Sequence, residues 1–256
     1  MARIKPVSHE DRLTLIEHLD ELRTRLIIAA LAFAVGFGLC FWQNHEVFDL
    51  LNAPLPDGRK PLTFGVTEPF LTTMTISAYA GFALALPVIL YQLYAFVLPA
   101  FSPRERRVAL PILLMVPVLF FGGVAFGYFV VLDRAVDFLL SFNQSEFNIQ
   151  VRARDYYSFV AMMLLAMGLV FQVPMAILAV TRLGIVTPAQ LRAWRRYAYF
   201  VCVVVAALLP TVDPVSMVLE TVPLIVLFEL SIVLASVLGG SGREHAPSAP
   251  PAEGSP

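Results

Sequence analysis

Charged residues are scarce in this chain. They make up 14% of its 256 residues, whereas soluble domains carry roughly 25%. The hydrophobic fraction is correspondingly high, at 58% against roughly 45–50% in soluble proteins. The few charges are clustered, so long uncharged runs separate short charged segments. This composition excludes an ordinary soluble domain and predicts an integral membrane protein that crosses the bilayer several times.

The residues that membrane-embedded enzymes use are missing from the uncharged runs. All four histidines lie outside them, no aspartate falls inside one, and no His-Glu-x-x-His zinc motif occurs. The two cysteines, Cys40 and Cys202, lie in apolar tracts and are expected to be small core residues rather than a disulfide or a metal site. These absences argue against an intramembrane protease, and we expect no catalytic, metal or cofactor site.

The uncharged runs predict an all-α fold with six transmembrane helices. The runs are 26–42, 69–103, 108–132, 156–181, 197–212 and 214–242, the last interrupted only by Glu220 and Glu229. A spanning helix needs about 20 apolar residues. The fifth and sixth helices share a segment that breaks at Asp213, so both are expected to be short. At about 1.5 Å per residue the shorter one covers roughly 23 Å, less than the hydrocarbon core of roughly 30 Å.

The distribution of lysine and arginine predicts the orientation. The N-terminus, the 103–107 and 182–196 loops and the tail carry 13 of the 18 basic residues, and the alternate loops carry 5. By the positive-inside rule both termini are cytoplasmic. The predicted organisation is a cytoplasmic amphipathic segment at 1–25, a six-helix domain at 26–238 and a disordered tail at 239–256.

A charged segment precedes the first span. Its leucines at 15, 19, 22 and 26 form a helical stripe that is expected to dock the helix, and Ser8 is a candidate helix cap. Glu21 and Arg25 are four residues apart and could form an ion pair. Acids at a membrane surface that normally attracts bases are unfavourable unless they meet a cation. The segment is therefore either a solvated amphipathic helix with an internal ion pair or part of a cation-binding site.

Carboxylates elsewhere allow similar alternatives. Glu105 stands among three arginines in the 103–107 turn, where it either neutralises them or accepts a guanidinium in bidentate fashion. Asp213 is either a helix cap or a functional residue. Glu220 is deeper in the sixth helix and is expected to make a functional or inter-helix polar contact. Glu229, near the cytoplasmic end, is expected either to extend its carboxylate toward the membrane surface or to pair with an arginine of the 192–196 segment.

Several co-linear motifs carry a family resemblance. HLDELRTRL at 18–26, PVILYQLYAFVLPAFSPRERR at 87–107, AFGYFVV at 125–131, FQVPMAI at 171–177 and the hairpin at Asp213 resemble TatC, the receptor subunit of the twin-arginine protein translocase. Their order and spacing hold from about residue 13 to residue 238. The resemblance implies kinked helices that form a concave, cup-like wall, and the many prolines within the spans are compatible with it.

The resemblance also implies the site. Glu21 and Glu105 match the family positions that receive the twin-arginine motif of signal peptides, and Arg23 and Phe96 match further positions of the same face. For assembly and partner contacts, it points to Pro54, Gln172 and Met217. Thr211 is a candidate substitute for a hydroxyl near Met217, and Asp213 and Glu220 are candidates because they are acids within or beside a span. Many relatives have a glutamate at the position of Gln172, so a role that needs a charge there is in doubt.

The implied partners are the twin-arginine signal peptides of folded precursors, TatA- and TatB-type single-span proteins, and further copies of the chain. The location implied is the bacterial cytoplasmic membrane, with export driven by the proton-motive force. The alternative function is a small-solute or ion secondary transporter. Such proteins usually show repeat symmetry and polar midplane sites, whereas this sequence has no visible internal repeat and a nearly bare midplane.

Overall fold

The computed structural model describes residues 9–56, 60–97, 103–182, 184–211 and 213–239. Within those ranges the side chains of residues 9–18, 97, 103–114 and 238–239 are not described. The described residues form an all-α protein, as predicted; their one β feature is an isolated parallel bridge between Leu62 and Arg152. The candidate cap Ser8 and the tail from residue 240 lie outside the described residues.

Ten α-helices follow one another along the described chain. They are α1 (His9–Trp42), α2 (Asn44–Asn52), α3 (Glu68–Val97), α4 (Pro103–Phe126), α5 (Asp133–Ser141), α6 (Ala153–Val170), α7 (Val173–Arg182), α8 (Pro188–Ala193), α9 (Arg195–Leu208) and α10 (Pro214–Gly239). A π-helical segment, Gly127–Leu132, joins α4 to α5 without a break. Helix α1 runs continuously through residue 25, so the charged N-terminal segment and the first span are one helix.

Five helical stretches are long and apolar enough to cross a membrane. They are Leu19–Trp42, Glu68–Phe96, Met115–Ser141, Ala153–Arg182 and Pro214–Val237. The remaining predicted span is α9, which has only 14 residues and a length of about 21 Å. The prediction of a short fifth span is therefore confirmed.

The prediction of a short sixth span is wrong. Helix α10 has 26 residues and extends for about 39 Å. Pro223 lies inside the helix and does not end it. The acids at 220 and 229 do not end it either, because Glu220 is hydrogen-bonded to Thr211 and Glu229 to Arg195 and Tyr199. Each polar side chain thus has a partner that lets the helix continue past it.

The leucine stripe does not dock α1 onto the rest of the chain, contrary to expectation. Leu19, Leu22 and Leu26 are 63%, 44% and 67% exposed. Helix α1 instead packs chiefly on α3 through glycines. A Cβ atom on Gly81 would lie 2.4 Å from the backbone nitrogen of Phe37, and one on Gly36 would lie 2.5 Å from the carbonyl oxygen of Gly81. Small residues at such crossings let two membrane helices approach closely.

The helical bundle has two ends. The start of α1, the end of α3, helix α8 and the end of α10 lie at one end, which we term the N-terminal end. Helix α2, residues 60–67 and the α9–α10 turn lie at the opposite end. Hydrogen bonds from Tyr156 to the carbonyl oxygen of Leu51 (2.8 Å) and from Tyr157 to the Oδ1 atom of Asn52 (2.8 Å) hold α2 against α6 there.

Candidate functional site

An ion pair with a polar anchor connects α1 to α3 at the N-terminal end. Arg25 donates to the Oε1 atom of Glu21 from Nε (3.1 Å) and Nη2 (2.5 Å). From Nη1 it also donates to the side-chain oxygen of Gln92 at 3.2 Å. Glutamate four residues before arginine is the favoured order on a helix. The internal ion pair that the spacing predicted is thus present, and its arginine also bonds to the next helix in the bundle.

Of the other residues assigned to this end, Arg23 and Phe96 lie close to the same pair along their helices. Arg23 is exposed on α1, and Phe96 is half-buried on α3. Because Phe96 lies four residues after Gln92, it is one helical turn further along α3. Glu105 is in the first turn of α4, but its side chain lies outside the described residues. The described structure therefore brings Glu21 and Phe96 together at the N-terminal end of the bundle.

A second ionic cluster lies between α9 and α10. Arg195 donates from Nη2 to the Oε2 atom of Glu229 at 2.6 Å, and the hydroxyl of Tyr199 donates to its Oε1 atom at 2.5 Å. The expected pairing of Glu229 with an arginine of the 192–196 segment is therefore present. With both carboxylate oxygens occupied, Glu229 ties the start of α9 to the second half of α10.

The candidate residues near Asp213 form a buried polar cluster at the opposite end. The hydroxyl of Thr211 lies 2.9 and 2.8 Å from the two carboxyl oxygens of Glu220, whose residue is fully buried. The Oδ1 atom of Asp213 accepts a hydrogen bond of 2.7 Å from the backbone N–H of Ser216. Asp213 is thus a buried cap of α10. Met217, on the next turn, is half-buried.

The remaining two assembly residues lie at different places. Gln172 is 6% exposed in the turn between α6 and α7, and its Nε2 atom donates to the carbonyl oxygen of Val116 at 3.2 Å. It therefore links that turn to α4 as a neutral hydrogen-bond donor. Pro54 is half-buried just after α2, close to the α6 tyrosines that hold that helix.

One long-range ion pair, with a buried carboxylate and an exposed arginine, was not predicted from the sequence. Arg152 donates from Nε to the Oε1 atom of Glu68 at 2.8 Å, although the two residues are 84 positions apart. The Oε2 atom of Glu68 accepts from the backbone N–H of Phe64 at 2.9 Å. The carboxylate raises the pKa of Arg152 further above its ordinary value by hydrogen bonding and charge. No local spacing signals this pair; only the presence of charges in basic-poor loops could have suggested it.

Comparison with known proteins decides the family. The family model described as Sec-independent protein translocase protein (TatC) matches residues 17–223. The chain belongs to the TatC family.

Individual relatives agree over nearly the whole chain. The chain is 38% identical to the TatCy protein of Bacillus subtilis, covering 88% of this chain and 89% of that protein. It is 35% identical to the TatC protein of Escherichia coli K12, covering 93% and 94%. A crystal structure of the twin-arginine translocase receptor TatC in DDM superposes with a TM-score of 0.74 at 37% identity, covering 85% of this chain and 98% of that one.

Membership of the TatC family identifies the chain as a component of a protein translocase. Together with its apolar helices, this makes it a multi-pass membrane protein of a protein-transport family rather than a member of an enzyme family. Among the residues that the structure describes, no group of three or more histidine, cysteine, aspartate or glutamate side chains could hold a metal ion.

Proposed function

We propose that this TatC protein is the receptor for twin-arginine signal peptides in the bacterial cytoplasmic membrane. In this proposal both termini are cytoplasmic, and the N-terminal end of the bundle faces folded precursors. Glu21 and Glu105 accept the two guanidinium groups, with Arg23 and Phe96 beside them. The observation that carries the proposal is the half-buried Glu21 carboxylate, 33% exposed and held in place by Arg25 at the end where α3 terminates.

The Glu21–Arg25 pair gives this site a physical mechanism. The pair holds the carboxylate in one orientation in the absence of a peptide. An incoming guanidinium offers the same fork of donors as Arg25, so it can compete for the carboxylate. Arg25 then keeps Gln92 as an acceptor, because its Nη1 contact is separate from its contacts to Glu21. A lysine pair would compete poorly because an ammonium group lacks the planar fork.

We further propose that the prolines inside α3 and α10, Pro87 and Pro223, kink their helices and contribute to a concave, cup-like wall. TatA- and TatB-type single-span partners and further copies of the chain would assemble on this scaffold. Thr211, Asp213 and Glu220 are buried within the chain, so they would act on partners by fixing the shape of the α9–α10 turn. Met217 and Pro54 are half-exposed and can contact partners directly, while Gln172 fixes the α6–α7 turn.

The short length of α9 suggests a further part of the proposed export mechanism. A helix of about 21 Å cannot span a hydrocarbon core of roughly 30 Å unless the bilayer thins around it. Thinning would lower the cost of a larger membrane defect made with partners. Lengthening α9 by one turn should therefore reduce export of a folded precursor. An export rate equal to that of the parent chain, with the variant stably inserted, would contradict this step.

Site-specific photocrosslinking tests the receptor assignment. A photoreactive residue placed at 96, or at a position next to Glu21 or Glu105 that leaves both acids in place, should crosslink to a twin-arginine precursor and much less to its lysine-pair variant. Glu105→Gln should abolish crosslinking at this loop while the protein still assembles. Asp20→Asn is the matched control, because it removes an adjacent acid that the proposal does not use. Unchanged crosslinking and export in Glu105→Gln would refute the assignment.

A further inference from the structure

An open apolar groove lies between α7, α9 and α10, beside α8. Its volume is about 460 Å³, within the roughly 300–1,000 Å³ typical of small-molecule sites. Val173 and Ile177 line it from α7, Leu224 and Phe228 from α10, and Trp194 and Val201 from the α8–α9 side. The groove therefore runs from the N-terminal end of the bundle into the membrane span.

The mouth of the groove is basic and aromatic. Arg192, Arg195 and Arg196 are exposed and alternate with the lining residues Trp194 and Tyr197. The guanidinium of Arg196 lies over the ring of Tyr197, 4.8 Å from its centroid, and donates to its hydroxyl at 2.9 Å. Arg195 is already paired with Glu229. Among the residues that the structure describes, no acid forms a salt bridge with Arg192 or Arg196, so these two cations remain at the mouth.

We propose that this groove binds one acyl chain of an anionic phospholipid, whose phosphate lies against Arg192 and Arg196. The site is separate from signal-peptide recognition and rests on different residues. Basic pockets at the ends of transmembrane helices recognise anionic headgroups. Exposed tryptophan and tyrosine, here Trp194 and Tyr197, mark the level of the membrane interface. The charge thus lies at headgroup depth and the apolar lining below it.

A lipid fits this groove better than a partner helix. A helix with its side chains is about 10–12 Å wide and would have to cover the arginines with an acidic segment. An acyl chain needs only a narrow apolar channel, and its own headgroup supplies the negative charge. The polarity of the site, cationic at one end and apolar along its length, matches that of a single lipid molecule.

Tryptophan fluorescence offers a direct test, because the chain has only two tryptophans. Trp42→Phe leaves Trp194 as the sole reporter. The full-length protein is reconstituted in phosphatidylcholine vesicles that contain either brominated phosphatidylglycerol or brominated phosphatidylcholine. We expect phosphatidylglycerol to quench Trp194 with a relative binding constant at least about fivefold higher, since one arginine near the surface contributes about that factor. Added salt should reduce this preference.

Matched variants show whether the preference for phosphatidylglycerol arises at this groove. Arg192→Gln with Arg196→Gln should bring the preference close to one, whereas Arg134→Gln with Arg154→Gln, at the opposite end, should leave it unchanged. Val201→Phe should lower quenching by both lipids because it fills the groove. Val204→Phe should not, since Val204 is also exposed on α9 but does not line the groove.

Two results would overturn the proposal. One is equal quenching by the two lipids in the parent protein at low salt, which would mean general lipid exposure only. The other is quenching of equal strength by the two lipids, if that quenching is lost when a purified single-span partner is added. This result would assign the groove to a partner helix.

Discussion

The crossing of α1 and α3 allows a prediction whose magnitude follows from the structure. A Cβ atom at Gly81 would lie 2.4 Å from the nitrogen and 2.5 Å from the Cα atom of Phe37. Ordinary contact begins at 3.4 Å, and backbone atoms cannot rotate away. Gly81→Ala must therefore separate the two helices by about 1 Å. Overpacking of this kind costs about 1–3 kcal/mol.

The control lies on the same helix pair. Nothing lies within 4 Å of a Cβ atom placed on Gly38. Gly38→Ala should be neutral or stabilise the protein by roughly 0.5–1 kcal/mol, because alanine loses less backbone entropy than glycine in a helix. The comparison therefore separates the effect of a methyl group at the crossing from the general effect of replacing a helical glycine.

Thermal unfolding in detergent measures both variants. For a chain of this size, 1 kcal/mol corresponds to a shift in Tm of about 2–4 °C. Gly81→Ala should lower Tm by about 2–12 °C, and Gly38→Ala should leave it equal or slightly higher. Equal Tm values for the two variants would refute the inference that the glycine contact holds α1 against α3.

Three further predictions concern polar groups. Thr211→Val should lower the free energy of unfolding by about 1–3 kcal/mol, because the buried Glu220 carboxyl loses its hydrogen-bond partner; thermal unfolding would measure it, and Thr75→Val, at an exposed position, is the control. Arg152→Gln should destabilise the opposite end more than Arg154→Gln, since only Arg152 pairs with Glu68; hydrogen exchange of residues 60–68 would show the difference, and equal exchange would contradict it. Arg25→Gln should leave Glu21 able to bind a twin-arginine peptide while loosening α1; loss of crosslinking at a position next to Glu21 with unchanged Tm would contradict the competition mechanism.

The sequence predicted best the features that depend on composition or on residues close together in the chain. Apolar runs located the five helices that are long and apolar enough to cross a membrane, because the bilayer imposes a minimum length of apolar helix. Spacing of four residues predicted the Glu21–Arg25 pair. The pairing of Glu229 followed from the cost of leaving a carboxylate unpaired near a span.

The features that were missed depend on three-dimensional contacts. The Glu68–Arg152 pair joins residues 84 positions apart, and no periodicity encodes that distance. The stripe of Leu19, Leu22 and Leu26 has the spacing of a docking face, but in a membrane protein a surface exposed to lipid has the same composition as a core. Periodicity alone could not distinguish the two.

The unequal lengths of α9 and α10 explain the position of Glu229. The two helices share the turn at the opposite end, so their difference in length appears at the N-terminal end. From Pro214 to Glu229 helix α10 rises about 23 Å, close to the whole length of α9, which is why Glu229 meets Arg195 at the first residue of α9. The last ten residues of α10 continue for about another 15 Å, and α8 packs against α10. The end of α10 therefore extends beyond the arginine that starts α9, and Glu229 pairs with that arginine at the level where α9 begins.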